Sequence, residues 1–266
     1  MAAPMTLSGL FIYPVKSCAG IALDAATLDR FGLAGDRRWL LVDADDRFLT
    51  QRTLPAMGQI TVAVHSEGIE LAGHGRHMRV RTPGGDAPLR RVAVWGDHVH
   101  ARDAGDAAAA WFSSVLHQPC RLVFMADDAQ RLVDTDYAVN GETVSFADGF
   151  PLLLTSEASL ASINASLDAF VSMRRFRPNL VVSGSAPFAE DRWRQLQIGA
   201  QRFTVAKPCA RCAIPALDPD TGARHPTLNR VLAATRRIDG AILFGQNLLH
   251  CDSGTLRVGD TVRVLD

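Results

Sequence analysis

The chain has 266 residues, enough for one large domain or two modest ones, and 47% of them are hydrophobic, as in ordinary globular proteins. Its 28 Lys and Arg balance 28 Asp and Glu to a formal net charge of zero, which excludes the basic excess of a nucleic-acid binder and offers no charge run to a membrane surface. Five cysteines, an odd number in a chain of this length, argue against a disulfide framework. The start Met1-Ala-Ala-Pro-Met-Thr has no signal-peptide pattern, and no run reaches the roughly 18 apolar residues needed to span a bilayer. The expectation is a soluble cytoplasmic protein whose thiols stay free, with no nucleic-acid or membrane partner.

In chain order, Leu7 to Val15 is rich in strand formers and runs into a loop carrying Lys16 and Ser17. A turn-rich lead-in from Gly32, with Arg37 and Arg38, opens the strand Arg38–Asp43. Asp43 to Asp46 reads as a hairpin turn into a strand over Arg47–Arg52. Short strands at 60–64, 68–71, 78–81 and 89–95, punctuated by Gly and Pro, suggest a barrel or sandwich. Asp106 to Leu116 predicts a helix with Asp106 as its cap. A strand Arg121–Met125 follows, and Asp127 to Thr143 reads as a polar surface excursion. The apolar strand Phe150–Thr155 runs into a helix over Ser156–Leu167, capped by Thr155 or Ser156. Leu180–Ser183 is a strand, and Trp193–Ile198 with Arg202–Ala206 form a hairpin about Gly199-Ala200. Pro226 to Arg236 predicts a helix with Pro226 near its first position, and Ala241–Phe244 and Leu256–Leu265 complete a β-rich second half.

The chemistry concentrates in Val205-Ala-Lys-Pro-Cys-Ala-Arg-Cys-Ala-Ile-Pro215, between a strand and the turn Asp218-Pro-Asp-Thr-Gly222. A rigid sheet leading into a loop is where reactive residues are usually presented. Cys209 and Cys212 do not make a structural four-cysteine zinc site without a second pair, and Cys18, Cys120 and Cys251 stand singly. A dithiol redox motif would need a βαβ context that this stretch lacks. Two readings stay open: a metal-ligating or nucleophilic thiolate with a structural companion, or two buried cysteines packing as small hydrophobes. Arg211, directly before Cys212, is expected to favour that thiolate. Lys16, Arg37, Arg177 and Arg211 each sit in a loop at a strand edge, and Thr155-Ser156 opens a helix whose free N–H groups suit an anion. Asp36 reads as an ion-pair partner for Arg37. The eight histidines form no metal-ligand spacing, and His74 and His77 read as surface residues.

Eight segments carry a resemblance that spacing cannot supply: Phe11-Ile-Tyr-Pro-Val-Lys-Ser17, Gly35-Asp-Arg-Arg-Trp39, Val144-Ser-Phe-Ala-Asp-Gly-Phe150, Phe176-Arg-Pro-Asn-Leu-Val-Val-Ser-Gly184, Glu190-Asp-Arg-Trp193, Lys207-Pro-Cys-Ala-Arg-Cys212, Phe244-Gly-Gln-Asn247 and Val258-Gly-Asp260. Together they resemble the MOSC family nearly end to end, in the branch that holds the bacterial YcbX proteins and the mitochondrial amidoxime-reducing component. The implied fold is mostly β with some helices (α+β), a MOSC β-barrel packed on an N-terminal β-rich module. The implied division is an N-terminal module over 1–120 and a MOSC domain over 121–266, with the first strand free to join the MOSC barrel.

The resemblance implies a molybdenum cofactor, a pyranopterin dithiolene with a terminal phosphate, and makes Cys212 its metal ligand and catalytic residue. It places Lys16, Ser17, Arg37, Thr155, Ser156, Arg177, Asn179, Ala210, Arg211 and Asn247 at cofactor-binding positions. Ala210 stands where serine is frequent in the family, and Pro215 lies where the family usually has a Thr-containing strand. The implied activity is reduction of small N-hydroxylated or N-oxide compounds. The clustered cysteines of a fused plant-type ferredoxin are absent, so the electrons are expected from a separate ferredoxin- or flavoprotein-like partner. The alternative is a MOSC sulfur carrier or cofactor-handling protein bearing a persulfide on Cys212, and a third reading is an idle module that delivers the cofactor.

Overall fold

In the computed structural model, residues 4–138, 140–250 and 253–265 are described; Cys251 lies outside them. The described chain is mostly strand with three α-helices. A nine-stranded sheet runs in the order Val262–Val264, Gln195–Ile198, Gln201–Ala210, Ala241–His250, Leu152–Ser156, Leu180–Ser183, Thr6–Ile12 and Ile21–Leu23, with Arg237–Ile238 as a side pairing on Ala241–His250. Alternation explains the first strand: Leu7, Leu10 and Ile12 are buried, and the slip between Leu7 and Gly9 keeps all three on the core side. They pack with Leu154, Leu180, Val182, Leu196, Phe203 and Leu248. Leu152–Ser156 and Leu180–Ser183 pair in parallel. A parallel pair needs a crossover, and helix Glu157–Asn164 lies within this one.

A four-stranded sheet orders Trp39–Val42, Arg121–Phe124, Asp97–Asp103 and Leu89–Val94. Helix Asp106–Leu116 inserts Phe112, Val115 and Leu116 into a second core with Trp39, Leu41, Ile60 and Leu71. Two three-stranded sheets complete the fold: Thr61–His65 with Gly68–Gly73 and Arg76–Arg81, and Gly254–Arg257 with Ala25–Asp29 and Gly32–Leu33.

Several elements differ from expectation. Arg47 and Phe48 form only isolated bridges, to Ala93 and Val42, and the chain then turns, with Thr53 N donating to Thr50 O at 3.2 Å. Asp97–Asp103 is a strand where none was expected. Gly105, not Asp106, holds the N-cap of its helix, because the Asp106 carboxylate is drawn to Arg121 at 2.8 Å. Ser156 does occupy an N-cap position but makes no capping bond; its hydroxyl pairs with that of Ser185 at 2.8 Å. The third helix starts at Leu228, with Thr227 as its cap.

The hairpin is longer than its alternation suggested, since Gln201–Ala210 carries the strand through Cys209. Its pairing with Ala241–His250 slips twice, between Val205 and Lys207 and between Pro208 and Ala210. At the second slip Gly245 takes φ +82, and a Cβ there would meet Leu154 O at 2.7 Å. Bulges re-aim side chains, and these two bracket the approach to Cys209.

Candidate functional site

A cleft of about 800 Å³, counted out to open solvent, lies where the N-terminal loops meet the wide sheet. Its basic wall is built by three loops. Lys16, from the first strand's exit loop, is 6% exposed, and its Nζ donates to Phe146 O at 2.7 Å and to Asp148 Oδ1 at 2.6 Å. Burial pushes the Lys16 ammonium below its ordinary range, against the opposing pull of Asp148. The same pair acts in reverse on Asp148: the desolvation of its crowded setting is outweighed by Lys16, and although the side chain is 64% exposed its carboxyl falls well below the usual carboxylate range.

Arg37 donates to Asp36 at 2.6 Å, to Asn179 Oδ1 at 3.0 Å and to Arg177 O at 3.2 Å. Burial works against its charge, but Asp36 prevails and the guanidinium is raised further. Arg37 and Arg177 lie over the Tyr13 ring at 4.4 and 4.1 Å from its centroid. Burial lowers Arg177 to about 10, with the Tyr13 hydroxyl opposing and Arg37 adding to the fall. Ser17, Arg37 and Arg177 all hold positive φ, at 70, 47 and 54°. Such residues are uncommon outside glycine and cluster at functional sites.

The thiol wall follows from the second bulge. Ala210 pairs with Leu243, and Arg211 N donates to Ile242 O at 2.7 Å. The chain then leaves the sheet with the Cys212 side chain exposed at the cleft and Cys209 half-buried. Contrary to expectation, Arg211 serves Cys209: its Nη1 lies 3.1 Å from Cys209 Sγ while Nη2 donates to Phe176 O at 2.7 Å. Both Nη groups are thus engaged, by the Cys209 thiol and the Phe176 carbonyl. Pro215 is buried at the start of a 3-10 turn, where a missing N–H costs nothing. Arg175 clamps this turn, donating to Ala216 O at 3.1 Å and Asp218 at 2.8 Å.

Of the expected site residues, Lys16, Ser17, Arg37, Arg177, Asn179, Ala210, Arg211, Cys212 and Asn247 all line this cleft. Asn179 is held by Phe11 O and by Leu153 N, and Asn247 reaches Pro208 O at 3.4 Å. Thr155 and Ser156 do not line it. Both are fully buried, and the Thr155 hydroxyl has no hydrogen-bond partner. Asp36 is indeed the ion-pair partner of Arg37, and His74 and His77 are exposed.

Sequence reasoning missed Thr50, Gln51, Arg52 and the loop 147–150, which complete the lining. The loop lies in a segment already quoted for the resemblance; Gln51 and Arg52 carried no signal.

Seven buried side-chain polar atoms among the described residues have no partner. Four are N–H donors of cleft residues: Gln51 Nε2, Arg52 Nε, Arg177 Nη2 and Arg211 Nε. A buried donor without an acceptor costs about 1–3 kcal/mol, so four of them on residues of one cleft favour an acceptor-rich occupant. With Lys16 and Arg37 beside them, the donor set fits a cofactor carrying a dianionic phosphate and a polar heterocycle.

Two family models match the chain, the MOSC N-terminal beta barrel domain over residues 4–119 and the MOSC domain over 141–263. The chain is 32% identical over 280 residues to mitochondrial amidoxime-reducing component 1 of Mus musculus, covering 98% of this chain and 82% of that protein. It is 33% identical over 286 residues to mitochondrial amidoxime reducing component 2 of Bos taurus, covering 97% and 82%. Molybdenum cofactor sulfurase of Oryza sativa subsp. japonica is 33% identical over an alignment of 263 residues, covering 90% of this chain and 32% of that much longer protein.

Proposed function

The chain belongs to the MOSC family, and from that premise we propose that it is a molybdenum-cofactor-dependent enzyme reducing N-hydroxylated and N-oxide compounds. The observation that carries this reading is the exposed Cys212 thiol at a cleft walled by Lys16, Arg37, Arg52, Arg177 and Arg211. Among the described residues no three of His, Cys, Asp or Glu gather to hold a metal. A protein thiolate from Cys212 would therefore be completed by sulfur ligands that the cofactor brings, a soft donor set suited to molybdenum. When bound, the cofactor supplies the two-electron chemistry that takes oxygen from an N–O bond.

The chain's own residues bind and orient. Arg37, Arg177 and Arg211 offer planar donor forks and Lys16 a point charge to the phosphate. Ser17, Asn179, Asn247 and the backbone at Ala210 offer hydrogen bonds to the heterocycle. Reduction of a hydroxylamine function to the amine consumes two electrons and two protons and releases water. The electrons come from a separate ferredoxin- or flavoprotein-like protein. No helix among the described residues is long and apolar enough to cross a membrane, and free thiols at the site suit a reducing compartment, which this reading takes to be the cytoplasm.

The test is to purify the wild type and Cys212→Ala from a host that makes the cofactor, and to measure molybdenum, pterin and turnover of benzamidoxime with a competent reductant. The wild type should hold near-stoichiometric metal and turn over, and the variant should lose molybdenum. A loaded wild type that leaves benzamidoxime and N-hydroxylated bases untouched sinks the reductase. An empty wild type whose intact mass shows one added sulfur on Cys212 would instead establish the sulfur carrier.

A further inference from the structure

Gln51 and Arg52 lie on a tight turn in the segment matched by the N-terminal beta barrel model, and neither is among the residues assigned above to the phosphate or the heterocycle. The turn is fixed by its backbone: Arg52 N donates to Thr50 Oγ1 at 3.2 Å, and Leu54 N to Thr50 O at 3.0 Å. Gln51 is 5% exposed, and its Nε2 has no acceptor. Its Oε1 lies so close to Gly58 that a Cβ there would come within 3.1 Å, so the amide is packed in place. The Arg52 guanidinium lies 4.5 Å from the Trp95 ring centroid, and Nη2 is 3.8 Å from Asp148 Oδ2. That leaves its Nε buried and unpartnered.

Two side chains are thus immobilised at one face of the cleft with donors that nothing in the protein accepts. Arg177 and Arg211, which carry the other two unpartnered donors of the cleft, come from the segment matched by the MOSC model. A purely structural glutamine or arginine gains nothing from a buried unpaired N–H, which lowers stability. We infer that Gln51 Nε2 and Arg52 Nε hold acceptor atoms of the bound cofactor, adding to the grip of Lys16, Ser17 and Arg37 from the same segment. This inference rests on the proposed cofactor reading.

Gln51→Leu, Arg52→Met and Arg52→Lys, prepared from a cofactor-making host and dialysed, test it through molybdenum and pterin retained per chain. The second readout is the heat-unfolding midpoint of the loaded and cofactor-free forms. Each variant should retain about tenfold less cofactor, as expected for one lost charge-assisted or buried hydrogen bond. The gap between loaded and free midpoints should shrink, because a weaker ligand stabilises less. The cofactor-free Gln51→Leu should unfold no lower than the cofactor-free wild type, since an unpaired donor has been removed. Equal lowering of the free and loaded midpoints would assign both residues a structural role and overturn the inference. A loaded wild type with fully loaded variants overturns it alone; an empty wild type overturns it together with the reading beneath it.

Discussion

Asp36 is 1% exposed and accepts two hydrogen bonds, from Tyr13 N at 2.8 Å and from Arg37 Nη1 at 2.6 Å. Removing one partner of a buried pair leaves an uncompensated charge, at a cost of about 3–5 kcal/mol. Arg37→Met should lower the urea-unfolding free energy of the cofactor-free protein by about that amount. Arg174 pairs with Asp220 at 2.8 Å, but the two side chains are 44% and 65% exposed, and Arg174→Met should cost about 1 kcal/mol or less. Equal losses would show that the buried Arg37–Asp36 pair holds the fold no better than an exposed one. The charge of Arg37 was legible in the sequence, since a basic residue in a loop at a strand edge stands out against a neutral composition. The aim of Arg211 was not. Adjacency to Cys212 suggested a partner, yet a side chain with four rotatable bonds goes where its fork finds acceptors, here Cys209 Sγ and Phe176 O. Gln51 and Arg52 were invisible because nothing in a Thr-Gln-Arg-Thr turn distinguishes a cleft wall from a solvated loop.

Among the elements, the strand Asp97–Asp103 escaped notice because its exposed residues are Asp97, His98 and His100 and one inward position is an acid. Val99, Ala101 and Asp103 are the buried residues. Inward Asp103 is tolerated because Arg90 Nε and Arg121 Nε each reach its Oδ2 at 2.6 Å, and Gly105 N reaches Oδ1 at 2.8 Å. The network ties this strand to both of its neighbours, Leu89–Val94 and Arg121–Phe124. Burial alone would raise the Asp103 carboxyl, but the hydrogen bonds from Arg121 and Arg90 outweigh it and bring it down to about 2 from 3.8. The folded state therefore holds this proton less tightly than the unfolded chain. The stabilisation is complete above about pH 4 and disappears as the pH falls towards 2. With the two arginines partly exposed, it amounts to at most about 2 kcal/mol. Asp103→Asn should lower stability at pH 7 and flatten the fall in unfolding free energy between pH 4 and 2. A variant whose acid limb is as steep as the wild type's would remove Asp103 from the account. The expected strand Arg47–Arg52 failed for another reason: Phe48 and Leu49 suit a strand, but Thr50 O captures the N–H groups of Thr53 and Leu54 and turns the chain.

At the scale of the whole molecule, the strand Thr6–Ile12 belongs by sequence to the segment matched by the first family model but by hydrogen bonding to the sheet of the second. It pairs with Leu180–Ser183 on one side and Ile21–Leu23 on the other. Gly254–Arg257 makes the opposite exchange, pairing with Ala25–Asp29. Periodicity reveals a strand and its buried face; it does not reveal a partner more than 160 residues away, because register is set by the assembled sheet. The exchange has an energetic consequence. Leu7, Leu10 and Ile12 are 0, 1 and 4% exposed, and burying such side chains contributes about 1.5–3 kcal/mol each, roughly 5–9 kcal/mol together. That equals the net stability of many domains, about 5–15 kcal/mol. A fragment of residues 141–263 should therefore show no cooperative heat-unfolding transition and weak near-ultraviolet dichroism. The same fragment with residues 4–29 fused ahead of it through a flexible linker should regain a transition, since it recovers both Thr6–Ile12 and the partner of Gly254–Arg257. A bare fragment that unfolds cooperatively at the midpoint of the full chain would mean that the exchanged strand covers the sheet without holding it together. The cleft would then be assembled by the docking of two independently folded units instead of by one shared sheet.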